Sequence, residues 1–188
     1  MHANTQAVRY PFARNAVRPL RLAAHAARRL WADSPAERKL LAEAVLALAA
    51  ARLKHATIPF DRLVKEFGTR QPLMQAPPPE EPMTAEPVPD SHRLHIETVG
   101  RAVTRAARYV PFRAVCLQQA MAAQAMLEQR HIESQMHFGI VRKPDGTLAA
   151  HAWLSAGPLE VTGFPLDPSL VEMTRFSPGR PSKKDRSH

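Results

Sequence analysis

The proline-rich stretch from residue 71 to 91 is the feature that most constrains how this chain folds. It holds seven of the 18 prolines of a 188-residue chain, together with several acidic residues. Proline fixes φ and has no backbone N–H, so such a stretch cannot form a buried strand or a helix interior. We therefore interpret it as a linker, and the packed core must come from the residues on either side.

This linker divides the chain into five segments. We predict a basic N-terminal segment (1–33), a helical prefix (34–70), the linker (71–91), a core that carries the chemistry (92–176) and a basic tail (177–188). A chain of this length forms one domain of ordinary size, with room for an accessory helical segment.

The net charge of +9 is concentrated at the two ends, and the first 30 residues contain six arginines and no acid. Basic ends of this kind are more often solvated termini than nucleic-acid contacts, and no nucleic-acid motif accompanies them. No apolar run approaches the roughly 18–20 residues of a membrane span, and the N-terminus lacks a signal-peptide core. We predict a cytoplasmic protein with no nucleic-acid partner and no integral membrane segment.

The helical prefix opens with a strong start signal, because Ser34 and Glu37 are spaced as a capping box. The pattern that follows has helical periodicity and predicts a helix to about His55. Its expected apolar face consists of Leu40, Leu41, Ala44, Val45 and Leu48. A short second helix, over residues 60–67, is expected to stop at Gly68.

Two further helices precede the strands of the core. The first is predicted from a cap at Ser91 to about Tyr109, where Pro111 breaks the pattern. The second is predicted from Cys116 to about Arg130. Expected core positions of the first are Leu94, Val99, Val103 and Ala106.

Three predicted strands follow, over residues 135–141, 148–155 and 159–162. The first alternates with period two, and Lys143-Pro144-Asp145-Gly146 has the composition of a turn. Helices followed by an antiparallel meander indicate an α+β fold.

Cys116 is the only cysteine, which excludes an intrachain disulfide and zinc sites built from several cysteines. At the start of a helix its thiol meets unpaired backbone N–H groups and the positive end of the macrodipole, which favour the thiolate. His151 lies on a different element, the second predicted strand. A cysteine with a histidine from another element is what a cysteine hydrolase or transferase requires, although many buried cysteines are inert.

Four segments of this half of the chain form a distinctive combination: residues 107–121, 126–133, 138–142 and 149–154. Together they resemble the core of lasso-peptide B proteins, the leader peptidases that process microcin-type precursors. In that family they correspond to a cysteine helix, its exit, a strand, and a strand with the sequence Ala-His-Ala-Trp. The resemblance covers residues 92–165 well and extends weakly to 40–68.

The resemblance implies a transglutaminase-like, papain-like core and a cysteine peptidase of the stand-alone type. Cys116 would attack the scissile carbonyl and His151 would shuttle the proton. The implied partners are a precursor peptide, a separate leader-recognition protein and an ATP-dependent lasso cyclase. The implied reaction needs no cofactor.

The third catalytic residue is not evident. Aligned with the family, Thr162 stands where an aspartate is expected. Glu160, two positions earlier and so expected on the same strand face, and Asp167, five positions later, are equal alternatives. A Cys-His dyad without an acid is the remaining option.

Trp153 and Gln119 are expected to contact the substrate, since Trp153 shares the strand face of His151 and Gln119 follows the nucleophile. The histidines at 131, 137 and 151 fit no common metal-ligand spacing, so we predict no metal site. Two other functions stay open: a peptide-binding scaffold with a degenerate fold, and an amide hydrolase or acyl transferase with an unrelated substrate.

Overall fold

The computed structural model describes residues 34–72, 88–143 and 145–177. These residues form four α-helices and a five-stranded antiparallel sheet, which confirms the α+β prediction. The helices are α1 (Pro35–Thr57), α2 (Phe60–Leu63), α3 (Asp90–Ala106) and α4 (Cys116–Glu128), with a 3-10 turn at Val64–Phe67. The strands are β1 (Thr69–Pro72), β2 (Gln135–Arg142), β3 (Leu148–Ala156), β4 (Leu159–Thr162) and β5 (Val171–Ser177).

The basic N-terminal segment, linker residues 73–87, Pro144 and the tail beyond residue 177 lie outside the described residues. Within the described ranges, none of the helices combines the length and the apolar character that crossing a membrane requires.

Helix α1 buries one narrow stripe against α3 and α4. Leu41, Ala44 and Leu48 are buried as predicted, while Val45 is 37% exposed. The guanidinium of Arg130 donates to both carboxylate oxygens of Glu43, at 2.7 and 2.8 Å, and so ties α1 to the end of α4. The helical prefix is therefore part of the core packing.

Helix α3 begins at Asp90, one residue before the predicted cap at Ser91, and Pro89 precedes it. The predicted core position Leu94 is wrong, because this side chain is 60% exposed and Ile96 is buried instead. At 100° per residue, Leu94 lies about 140° around the helix from the buried Val99.

The sheet has the strand order β1-β5-β2-β3-β4. The three predicted strands are present, whereas β1 and β5 were not predicted. Strand β1 begins at Thr69 and includes the first residues assigned to the linker, and it pairs with β5 over four residues. The linker boundary at residue 71 is therefore corrected, and β1 belongs to the same compact unit as the core.

The two faces of the sheet carry different chemistry because neighbouring strand residues point to opposite faces. Met136 and Leu154 are paired across β2 and β3 and are fully buried in the apolar core shared with the helices. The adjacent pair, His137 and Trp153, therefore lies on the second face. His151, two positions before Trp153, shares this second face.

Helix α3 lies very close to β4 at Gly100, where an added Cβ would be 2.5 Å from the carbonyl oxygen of Val161. We expect Gly100→Ala to lower the free energy of unfolding by about 1–3 kcal/mol, although alanine is the better helix former. Urea unfolding measures this. The exposed neighbour Arg101 provides the control, and an Arg101→Ala variant that loses as much stability would contradict the packing argument.

Candidate active site

Cys116 is the first residue of α4, and Val115 before it is extended, with φ −78° and ψ 170°. The first backbone bond of the helix runs from the Gln119 N–H to the Val115 carbonyl at 3.1 Å, so the N–H groups of residues 116–118 have no partner within the helix. The thiol is half-buried. These features place a sulfur beside unpaired donors, as the sequence predicted.

Two glutamines after Cys116 hold this helix end in place. Gln118 is fully buried; its Oε1 accepts from the Val115 N–H at 3.1 Å, and its Nε2 lies 3.3 Å from Nδ1 of His55. The Nε2 of Gln119 donates to the Ala114 carbonyl at 2.9 Å. Gln118 is not among the residues predicted at the site, and substrate contact by Gln119 stays a prediction.

His151 has a defined ring orientation. Its Nε2 lies 2.7 Å from the carbonyl oxygen of Gly163. A carbonyl only accepts, so Nε2 carries the proton and Nδ1 of the neutral ring is left with a lone pair. The ring also stacks on Trp153, with centroids 6.0 Å apart and planes 16° apart. An imidazole held in this tautomer has a basic nitrogen available.

A series of contacts runs from the start of α4 to the strand that carries His151. Gln118 contacts His55 near the end of α1, and Phe60 just beyond it packs edge-on against Phe138 at 6.1 Å. Phe138 pairs with Ala152, the residue after His151. Helix α4 also packs against β3.

The Cys116 and His151 side chains are nevertheless not in hydrogen-bond contact. His151 is on the second face of the sheet, and among the described residues the Cys116 thiol has no hydrogen bond to its ring. Catalytic hydrogen bonds are often long in substrate-free structures and tighten in the complex. The Cys116–His151 pair therefore stays a prediction.

The two acids proposed as the third member occupy different surroundings. A bulge between Leu154 and Ser155 places Thr162 opposite Leu154 and Glu160 opposite Ser155, so the expectation that Glu160 shares the face of Thr162 is wrong. Glu160 is exposed.

The carboxylate of Asp167 accepts from the Ser169 hydroxyl at 2.7 Å and the Ser169 N–H at 2.8 Å, and these bonds lower the pKa of Asp167. Neither carboxylate forms a hydrogen bond with His151 in the described part of the chain. Their catalytic roles stay predictions.

His137 forms a second cluster on the same sheet face. Its Nδ1 lies 2.6 Å from Oε1 of Glu172, and its Nε2 lies 2.8 Å from Oγ of Ser155. The ring stacks on Trp153, with centroids 5.1 Å apart. The sequence drew attention to His137 only as a possible metal ligand. Its pairing with Trp153 depends on the β2–β3 register, which periodicity alone does not give.

Metal binding finds no support at these histidines. In the ranges that the structure describes, no group of three or more histidine, cysteine, aspartate or glutamate side chains is arranged to hold an ion. The ring nitrogens of His137 are both engaged by protein atoms.

A cavity of about 380 Å³ lies between α1 and α4, and neither Cys116 nor His151 lines it. Its apolar walls include Phe67, Met121 and Met126, and its charged rim includes Glu128. Glu128 is exposed, but desolvation at the cavity rim raises the pKa of its carboxyl; the nearby Lys54 opposes this shift and Glu66 adds to it. This cavity is separate from the predicted chemistry.

The raised pKa of Glu128 predicts that replacing this residue changes the stability of the fold in a pH-dependent way. A carboxyl whose pKa is higher in the folded than in the unfolded state destabilises the fold once the pH rises above both values, and has no such effect below them. We expect Glu128→Gln to raise the thermal unfolding midpoint at pH 7 but to change it little at about pH 3.5. Glu133→Gln is the control, because Glu133 is exposed and does not line the cavity. An equal shift at both pH values would contradict the desolvation argument.

Residues 55–175 match a family model described as the transglutaminase-like superfamily. This span is well over half of the chain and includes Cys116, His151 and Gly163. No curated protein and no solved structure matches the chain.

Proposed function

Because the chain belongs to the transglutaminase-like superfamily, we propose that it is a cysteine peptidase that removes the leader from a ribosomally made precursor peptide during lasso-peptide maturation. The superfamily supports a Cys-His enzyme. The precursor, a separate leader-recognition protein and an ATP-dependent cyclase come from the resemblance to lasso-peptide B proteins. The proposed compartment is the cytoplasm.

The observation that carries this proposal is the hydrogen bond from Nε2 of His151 to the Gly163 carbonyl, 2.7 Å long. It leaves Nδ1 free to act as a base toward the Cys116 thiol in the proposed reaction. A third group that fixes the tautomer and orientation of the imidazole is a general requirement of such sites. A backbone carbonyl fills this role here without an acid.

In the proposed reaction, Nδ1 of His151 accepts the thiol proton of Cys116 and the sulfur attacks the scissile carbonyl carbon. The oxyanion is stabilised by the unpaired N–H groups at the start of α4. The C–N bond then breaks, and the imidazolium returns its proton to the leaving amine. Water, activated by the same nitrogen, hydrolyses the thioester, which restores the thiol and releases the acid.

A neutral carbonyl stabilises the imidazolium less than a carboxylate does, because it carries no full charge. The proposed enzyme is therefore a Cys-His dyad with a backbone acceptor, unless Asp167 or Glu160 moves to the ring when substrate binds. The reaction uses water and needs no cofactor.

A second candidate function is a peptide-binding scaffold without chemistry. Thr162, in place of the aspartate of lasso-peptide B proteins, favours the scaffold. The Thr162 hydroxyl is buried and has no hydrogen-bond partner among the described residues, so it does not orient an imidazole. The superfamily fold equally permits an amide hydrolase or acyl transferase with another substrate.

Leader release tests the peptidase directly. Purified protein is mixed with a lasso-type precursor and its recognition protein, and leader and core are quantified by mass spectrometry. We expect Cys116→Ala to abolish release and His151→Ala to slow it about 10²- to 10⁴-fold. His95, exposed on α3, provides the control His95→Ala. Equal release by wild type and Cys116→Ala would refute the peptidase.

Alkylation separates the peptidase from the scaffold, because Cys116 is the only thiol to react. We expect iodoacetamide to modify wild type faster than His151→Ala at about pH 6, since the imidazole withdraws the thiol proton. Identical rates in the two proteins would favour the scaffold.

A further inference from the structure

We propose that His137 is a positioning residue for His151 and acts on it through Trp153. This inference rests on the proposed function only in taking His151 as the base. His137 does not touch the reacting atoms, and its effect passes through a stack of three rings on the second face of the sheet.

The stack follows from the strand register. His137 and Trp153 are directly opposite each other on β2 and β3, and their rings are 5.1 Å apart with planes within 8°. His151, two residues before Trp153, has its ring 6.0 Å from the same indole with planes 16° apart. The indole thus contacts two imidazoles, and each is nearly parallel to it.

The ring of His137 is held by hydrogen bonds on both of its nitrogens. Nδ1–H of His137 donates to Glu172, and Nε2 accepts from the Ser155 hydroxyl. Arg175 holds the Glu172 carboxylate through two bonds, at 3.2 and 3.0 Å. A flipped ring would lose both matches, because the carboxylate accepts only, and the ring is 7% exposed.

The indole has little room to tilt. A Cβ on Gly139 would lie 3.1 Å from Cζ3 of Trp153, and a Cβ on Gly163 would lie 2.7 Å from its Cβ. Gly163 has a φ of +88°, a conformation that glycine adopts without strain. The glycine that packs against Trp153 is also the one whose carbonyl binds His151. Trp153 therefore positions both the imidazole and its acceptor.

This arrangement assigns a different role to Trp153 from the predicted substrate contact. The side chain is 4% exposed, so little of it is available to a peptide. Ser155, His137 and Glu172 are hydrogen-bonded in the same sequence as the serine, histidine and acid of a serine hydrolase triad. Enclosure of the His137 ring favours the structural role over a second base.

The test compares His137→Leu with His137→Phe. Both remove the same two hydrogen bonds, but only phenylalanine keeps a flat ring against the indole. The readout is the NMR signal of the Nε2–H proton of His151, visible only while its bond to Gly163 protects it from exchange with water. Thermal unfolding confirms that each variant is folded, and His95→Leu is the control.

We expect the His151 signal to persist in His137→Phe and to disappear in His137→Leu. We expect His137→Leu to lower kcat for leader release about 10- to 100-fold with KM unchanged, as a misplaced catalytic group does. Persistence of the signal in His137→Leu, or its equal loss in both folded variants, would overturn the proposal. Labelling of Ser155 by a fluorophosphonate would also overturn it.

The two failures are distinguishable. If wild type shows the protected Nε2–H signal and the leucine variant loses it, yet neither releases leader, the peptidase proposal fails and the positioning of His151 stands. If wild type releases leader and the leucine variant does so at the same rate with its signal intact, the peptidase stands and the positioning role fails.

Discussion

The register between β2 and β3 is the constraint on which both the core and the site depend. The pairing is continuous from Gln135 with Ser155 to Arg142 with Leu148. It places Met136 beside Leu154 against the helices, and His137 beside Trp153 on the opposite face. A slip of one residue would exchange these sets, burying imidazoles among methyl groups at a high desolvation cost. The burial of one face therefore also specifies the ring stack on the other.

Electrostatics at His151 differ from those of an acid-assisted site. A peptide carbonyl fixes the tautomer through its dipole and itself carries no ionisable proton. The same bond provides geometry without much stabilisation of the imidazolium. The bond explains how the ring keeps one orientation although none of the described carboxylates is hydrogen-bonded to it.

Much of the fold followed from the sequence where local signals were strong. The Ser34 capping region, the start of α4 at Cys116 and the strand ending at Thr162 were all predicted closely. Strands β1 and β5 were not. Strand β1 is four residues long and contains Pro72, and the pairing of β5 with β2 shifts register between Phe138 and Gly139, so the apolar Val171 and Met173 are exposed while Phe176 is buried. At the site, residue types led to the proposal of Cys116 and His151, whereas Gly163 contributes a backbone carbonyl and carries no side-chain signal. The bulge that puts Glu160 and Thr162 on different faces arises from the pairing of β3 with β4, which the sequence of β4 alone does not specify.

The main-chain acceptor at Gly163 has a consequence for how this domain tolerates sequence change. A carboxylate in that position is lost by many single substitutions, whereas the carbonyl oxygen is present whatever residue occupies the site. Substitution can instead remove the positive φ that orients this carbonyl, and that backbone conformation favours glycine. Surveys that replace side chains one at a time would thus record a conformational requirement at residue 163 and give no hint that an imidazole is oriented there.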